Sequence, residues 1–287
     1  MKRLAVIVGV LSTAWAASVE AREYGNLPEE AASWAAVSCE TPVSIDAGGG
    51  RHPDVSIHEL DTFITLLYLP SHALDAAAAL NVVWTRLALS GIEYDDLDLY
   101  QVMLPFDLLL KGDPWNWWFN VTPGLFSDLD HVTGDDYQTL LHGAVLYRSG
   151  TRLQWGLGVG YDRVLGEERV YPLGGFVWDN GWDLRIKALF PDLRLEWAPS
   201  RSWLAYLQAQ PAGGVWHVHE AGSDYELKIK GFRIHGGGEV SVAPHVWLRA
   251  GTGLAVLRNY QLKDKDGNRI DSDADEAWFV QVALVLR

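Results

Sequence analysis

The chain has 287 residues and a formal net charge of −14. That acidity excludes nucleic acid as a partner. A lone cysteine, Cys39, excludes an internal disulfide and a cysteine-based metal site.

Lys2 and Arg3 form a basic region ahead of an apolar run, residues 4–17, that is too short to span a bilayer as a helix. Residues 1–21 read as a cleaved secretory signal, with Val19-Glu20-Ala21 and Ala14-Trp15-Ala16 as rival cut sites; a buried hydrophobic helix is the plain alternative. Without them, 21 Lys plus Arg face 36 Asp plus Glu, a net of −15. No later stretch is an apolar run of helical spanning length. A membrane location therefore requires a closed barrel, because lipid cannot satisfy open strand edges. The 14 Trp and 11 Tyr suit a membrane interface, although an ordinary aromatic core would also use them.

Residues 22–57 differ in character from the remainder of the chain. Residues 28–36 suit two turns of helix starting at Pro28, and Ala47-Gly48-Gly49-Gly50 is a flexible break. The segment reads as a periplasmic arm or a plug, with a disordered leader as the alternative. Cys39 lacks the leucine usual before a lipidation site and reads as a free thiol. The predicted organisation is a signal (1–21), an arm (22–57) and a barrel (58–287).

From about Thr62 the pattern is strand, turn, strand. Residues 62–69 are apolar and close at Pro70; residues 77–90 come next. In residues 98–110, Tyr100, Val102, Leu104, Phe106, Leu108 and Leu110 alternate with Gln101, Met103, Pro105 and Asp107. Trp117, Phe119 and Val121 alternate with Asn116, Trp118, Asn120 and Thr122. Residues 137–148 are weaker. In residues 151–161, Leu153, Trp155, Leu157, Val159 and Tyr161 alternate with Arg152, Gln154, Gly156, Gly158 and Gly160. Residues 184–188 and 193–197 repeat this with charges on the second face. Residues 203–219, 225–242, 246–260 and 278–286 complete the series. A period of two gives each strand one apolar and one polar face. A soluble sandwich would turn the polar face to water; a membrane barrel turns the apolar face to lipid and the polar face to its lumen.

Tight turns (Ser149-Gly150, Asn180-Gly181, Ser200-Arg201, Ala243-Pro244) mostly take turns with longer acidic loops (127–136, 165–169, 220–224, 261–275). The short Phe190-Pro191-Asp192 connection falls on the long-loop side and breaks that rhythm. In residues 225–242 the apolar phase shifts between Ile229 and Phe232, which predicts a β-bulge at Gly231. The expected architecture is an all-β, antiparallel, up-and-down transmembrane barrel of about 12 strands within a range of 10–14. Thirteen candidates lie from residue 62 onward, so one is misread or one more lies before it.

Four motifs add a resemblance. Pro123-Gly124-Leu125-Phe126-Ser127-Asp128, Leu157-Gly158-Val159-Gly160-Tyr161, Leu173-Gly174-Gly175-Phe176-Val177-Trp178 and Phe190-Pro191-Asp192-Leu193-Arg194-Leu195-Glu196-Trp197, followed by Pro199-Ser200, resemble in order and spacing an uncharacterised Gram-negative outer-membrane β-barrel family, a domain of unknown function. The resemblance covers residues 80–287. It implies fold and location and carries over no catalytic residues. The chain departs from many such barrels in ending Val282-Ala283-Leu284-Val285-Leu286-Arg287 instead of in an aromatic residue.

Asp183, Arg185, Lys187, Arg194 and Glu196 share the polar faces of two consecutive strands. Inside a barrel they form either a charge filter or a salt-bridge network filling the lumen. Arg148, Arg152, Gln154, Arg249 and Gln281 extend the polar face. His217 and His219 face the same way on a strand and could share a metal; a pair of surface histidines is the simpler reading. Asp264, Asp266, Asp271, Asp273 and Asp275 are hard oxygen ligands in an acidic loop, a candidate divalent-cation loop that fails the EF-hand pattern at Arg269. Ser200, Ser202, Ser241, His142, His235 and His245 show no spacing that singles out a nucleophile and base. The expectation is a non-enzymatic barrel of the cell outer membrane, secreted through the signal, without cofactor. Its partners would be outer-membrane lipid, lipopolysaccharide and the barrel assembly machinery. Its role would be a small channel or transport barrel for small polar solutes. The alternatives are a structural or interaction barrel with a filled lumen and a lipid-modifying enzyme.

Overall fold

A computed structural model describes residues 26–28, 32–45, 53–90, 96–163, 169–220, 223–264 and 269–287. The expected signal segment, residues 1–21, lies outside these. The first strands are β1 (Ser33–Glu40), β2 (Val43–Ser44), β3 (Asp54–Pro70), β4 (Leu74–Ser90), β5 (Leu97–Met103) and β6 (Phe106–Leu110). Next come β7 (Trp115–Ser127), β8 (Tyr137–Ser149), β9 (Leu153–Asp162), β10 (Arg169–Asp179), β11 (Leu184–Phe190) and β12 (Asp192–Ser200). The chain ends with β13 (Trp203–Glu220), β14 (Ser223–Ala243), β15 (Val246–Asp264), β16 (Arg269–Ala274) and β17 (Ala277–Leu286).

Neighbours pair antiparallel in sequence order, and β1 closes the ring by pairing both β17 and β3. Fourteen strands make the barrel, and three short segments are not further members of the ring. β2 continues beside β3 after β1 stops, β5 and β6 are two halves of one strand, and β16 extends the line of β17 along β15. The expectation of about 12 strands is therefore corrected to 14. The missing strand lay before residue 62. Ser33–Glu40, expected as part of an arm, is a barrel strand, and β3 starts at Asp54 instead of Thr62. An alanine-rich stretch with helical propensity becomes a strand because two open edges, β17 and β3, flank it and need pairing. An even number of strands returns both ends of the chain to one end of the barrel, where Ser33 faces Leu286. The tight turns expected from the sequence lie at this terminal end, and the longer loops lie at the far end, together with the short β11–β12 and β13–β14 connections.

The faces obey the alternation. On β7, Trp115, Trp117, Phe119 and Val121 are exposed and Asn116, Trp118, Asn120 and Thr122 are buried. On β9, Leu157 and Val159 point out and Gln154 points in. Exposed aromatics mark two levels on this apolar exterior. Trp115, Tyr147 and Trp155 cluster near the terminal end, and Tyr137 stands at the far end of β8. Tyr137 to Tyr147 is a rise of about 25 Å for a tilted strand, the height of a lipid-facing band.

β14 corrects a second expectation. Its odd positions face inward along the whole strand: Leu227 and Ile229 near the far end, then Arg233, His235 and Glu239. The register does shift across Gly231, as expected, but not by an extra residue on β14. The extra residue is on β15, where Lys230 pairs Asn259 but Phe232 pairs Val256, and Leu257 is thrown outward at a φ of 54°. The apolar face of β14 changes side because the surroundings do. Below Gly231 the outside is apolar, as at Ile234 and Val240, and the inside is charged; above it, Lys228 and Lys230 alternate with inward Leu227 and Ile229. Above the apolar band the barrel is an ordinary β core with a polar exterior.

That core fills the far end of the lumen. Val55, Ile57, Leu99, Phe126, Trp216 and Leu227 are among its buried members. A second apolar cluster, including Phe63, Tyr206, Trp247 and Val285, closes the terminal end, with Trp34 and Leu27 packed on it. Close backbone approach is required at Gly175. Its φ is +152°, and a Cβ there would lie 1.8 Å from the Ala188 carbonyl oxygen on β11. Gly175→Ala is expected to cost about 1–3 kcal/mol, read as a lower temperature for conversion of the folded to the unfolded gel band in detergent.

Candidate functional site

Between the two apolar seals lies a polar chamber of about 360 Å³. Each lining charge sits on an inward position. Lys187 and Arg194, register partners across β11 and β12, face Glu196 from the same side. Arg194 donates to Glu196 at 2.8 Å and to Glu239 at 2.9 Å, and Arg185 donates to Glu196 at 3.4 Å. Glu239 is the hub: it also accepts from Arg249 at 2.9 Å and from Arg287 at 2.5 Å. The Arg194 guanidinium lies over the Tyr206 ring at 4.7 Å. Tyr206 fits only because its neighbours lack side chains; a Cβ on Gly251 would lie 2.4 Å from the phenol oxygen.

A second lattice crosses the lumen farther up. Arg233 of β14 donates to Glu40 of β1 at 2.9 Å and to Glu59 of β3 at 2.9 Å, and Arg258 of β15 reaches Glu40 at 3.0 Å. A third runs along the β6–β10 wall. Trp118 and Asn120 donate to Asp107, His142 meets Asn120 at 3.3 Å and Asp162 at 2.8 Å, and Tyr171 donates to Asp162. These groups are nearly all inside the wall, and paired charges are the only ones such a place tolerates.

Four of the five predicted lumen charges meet: Arg185, Lys187, Arg194 and Glu196. Asp183 does not. It precedes β11, accepts from Asn180 at 2.8 Å and from Trp197 at 3.3 Å, and holds the terminal-end turn. Arg249 and Gln281 also line the chamber, and Gln154 is buried inward, whereas Arg152 lies in a turn. The alternation did not single out the hub Glu239 or the tether Arg233. Both share the odd phase of Leu227 and Ile229, so the face that carries them reads as apolar at one end of the strand.

The acidic segment is mostly strand. Asp271 and Asp273 lie on β16, where both accept from Asn259, at 2.7 and 2.9 Å. Asp264 ends β15, Asp275 lies between β16 and β17, and Asp266 is outside the described residues. Pairing with β15 thus places Asp271 and Asp273 on a strand, side by side on one face. Among the described residues, no three potential ligands converge as a metal would require. At the far end His219 meets Asp224 at 2.5 Å, its ring lies 5.1 Å from that of His131, and His217 stands 3.9 Å from Asp136. Glu226 nearby is pushed up by burial, but its hydrogen bond from Lys228 at 3.0 Å, with that charge, holds its carboxyl below the usual range. Ser200 and Ser202 meet each other, Ser241 donates to the Ala243 carbonyl, and His245 meets the Arg287 carbonyl, so no serine–histidine pair forms among these.

The wall is not equally tall. β11 has 7 residues and β12 has 9, beside 18 in β13 and 21 in β14. β12 pairs with β13 only up to Leu193 opposite Ala209, and β10 pairs with β11 only up to Gly174 opposite Phe190. Above the β11–β12 turn, β7 leans over to β13: the Asp128 amide donates to the His217 carbonyl at 3.4 Å, and the Asp128 carboxylate accepts from the His219 amide at 2.6 Å.

A family model described as a domain of unknown function, DUF6268, matches residues 110–286. No curated protein matches the chain. Among solved structures, the chain is similar to a deltaS2 mutant of the TodX monoaromatic hydrocarbon channel (11% identity over 89% of each chain, TM-score 0.41). It is also similar to the translocator domain of the autotransporter NalP from Neisseria meningitidis (10% identity, 96% of this chain and 92% of that one, TM-score 0.36). A mutant Rh. blastica porin is a third (6% identity, 88% and 98%, TM-score 0.31).

Proposed function

We propose, from the premise that this chain belongs to the DUF6268 family, that it is a transport-related barrel of the outer membrane whose lumen rests closed and handles small polar groups. One observation carries the reading: a 360 Å³ chamber lined by charges survives between two apolar seals, where a purely structural lumen would be filled. Open space lined by charges is what a passing or bound polar group would use. The salt-bridge lattices favour a second reading, a structural or interaction barrel, because they tie five strands together without needing a solute.

Planar-bilayer recording separates the two. The folded barrel is expected to show brief openings, and Lys187→Glu to shift their reversal potential toward cation preference by about tenfold in permeability ratio. Openings with unchanged preference would place the pathway elsewhere. Silence of a barrel verified by its folded gel band would favour the structural reading.

A further inference from the structure

The short β11–β12 hairpin leaves a gap in the wall. Its sill is the Phe190–Asp192 turn. Its sides are the upper edges of β10 and β13, which no β11 or β12 residue pairs. Two strands are missing between those sides, so their axes stand about 14 Å apart at the sill by ordinary strand spacing. β11 rises only about 15 Å from the terminal-end interface, well short of the roughly 25 Å apolar band. The gap therefore opens at hydrocarbon depth on the far side of the membrane. The exterior around it agrees: Val170, Leu193 and Leu207 are exposed apolar side chains, and Phe190 on the sill is 53% exposed.

Inside the gap is the chamber. Asp192 on the sill and residues 210–213 on the β13 edge belong to its lining, together with Lys187 and Arg194 below. The β13 edge is built for exposure. Pro211 lacks an amide hydrogen, and Gly213 has a φ of +124° with no room for a Cβ, which would lie 2.1 Å from the Ile229 carbonyl oxygen. Pro172 sits on the opposite edge. Proline is confined to edges and bulges of sheets. An open edge facing lipid is otherwise unfavourable, because its polar groups go unsatisfied.

We infer that this gap is a lateral window through which a single-chain amphiphile from the outer leaflet places its polar head in the chamber while its chain stays in lipid. The apolar rim suits the chain, and Gln210, Asp192 and Lys187 offer the head both donors and acceptors. The size sets the class. The gap is about two strands wide, which suits one polymethylene chain beside the sill, and a 360 Å³ chamber suits one small polar head. The inference does not need the barrel to conduct.

The test is photolabelling in phosphatidylcholine nanodiscs with a diazirine-bearing decanoate, mapped by mass spectrometry. Labels are expected on the facing edges of β10 and β13 at about tenfold the density found on β3 and β4, and free decanoate should compete. Gln210→Trp, or Ala212→Trp if the first does not fold, should reduce the edge labels by about tenfold. Labelling spread evenly over the exterior, labels unmoved by both variants, or equal competition by added phosphatidylcholine would overturn the window. A silent bilayer leaves it standing, and failed labelling leaves the conduction reading standing.

Discussion

Glu239→Ala is expected to lower the stability of the barrel by about 3–5 kcal/mol, the usual cost of removing one partner from a buried charge lattice. Glu239 is 1% exposed and accepts from Arg194, Arg249 and Arg287, which reach it from β12, β15 and the chain end. Alanine leaves three guanidiniums facing one another, with Glu196 alone left to serve Arg194 and Arg185. Coulomb repulsion then adds to lost hydrogen bonds. Glu239→Gln keeps an acceptor without the charge and should fall between the two. Glu226→Ala, at an outer pair where both side chains are 20–27% exposed, should cost less than about 1 kcal/mol. The measurement is the urea or heat midpoint of the folded band in detergent for the three variants. A Glu239→Ala barrel as stable as the parent would mean that the lumen is wet enough to screen these charges.

The second large effect is expected from Trp216→Ala, with a loss of about 3–5 kcal/mol and a rise in bilayer conductance. Trp216 is 1% exposed and stands in the apolar core that fills the far end of the lumen. Its truncation removes the largest side chain of that seal, directly above the chamber. The neighbouring backbone cannot collapse into the space, since β13 here is held by β14 on one side and by the Asp128–His217 contact on the other. A cavity that the wall cannot close fills with water once it joins the polar chamber below. Paired measurements of unfolding midpoint and open probability test both parts. A destabilised barrel with unchanged conductance would show that the terminal-end cluster, with Phe63, Tyr206 and Trp247, is the tighter seal.

Much of the wall is legible in the chain before folding. Strands β7, β9, β11, β12 and β17 emerge from alternation alone, because an apolar outward residue and one facing a polar lumen differ in the same way along the whole strand. The candidate stretches named from residue 62 onward are all strands. Four of five lumen charges are legible for the same reason. The first strand is not. Ser33–Glu40 has weak β character, and only the open edges of β3 and β17 make it a strand. Glu239 is hidden because the odd phase of β14 is apolar at one end and charged at the other. A two-face rule assumes one environment per side.

What the sequence by itself determined is the alternation of faces, the side of the tight turns, and an exterior that only lipid or a second protein surface could cover. These are local properties, set by side-chain direction and turn chemistry within a few residues. The tertiary structure decided the rest: 14 strands, the apolar seals at both ends, the hub at Glu239 and the gap above the β11–β12 turn. The short Phe190-Pro191-Asp192 connection looks like a flaw in the loop pattern and proves to be a low place in the wall. No local rule could say so, because its meaning depends on how far β10 and β13, its neighbours across the sheet, continue past it.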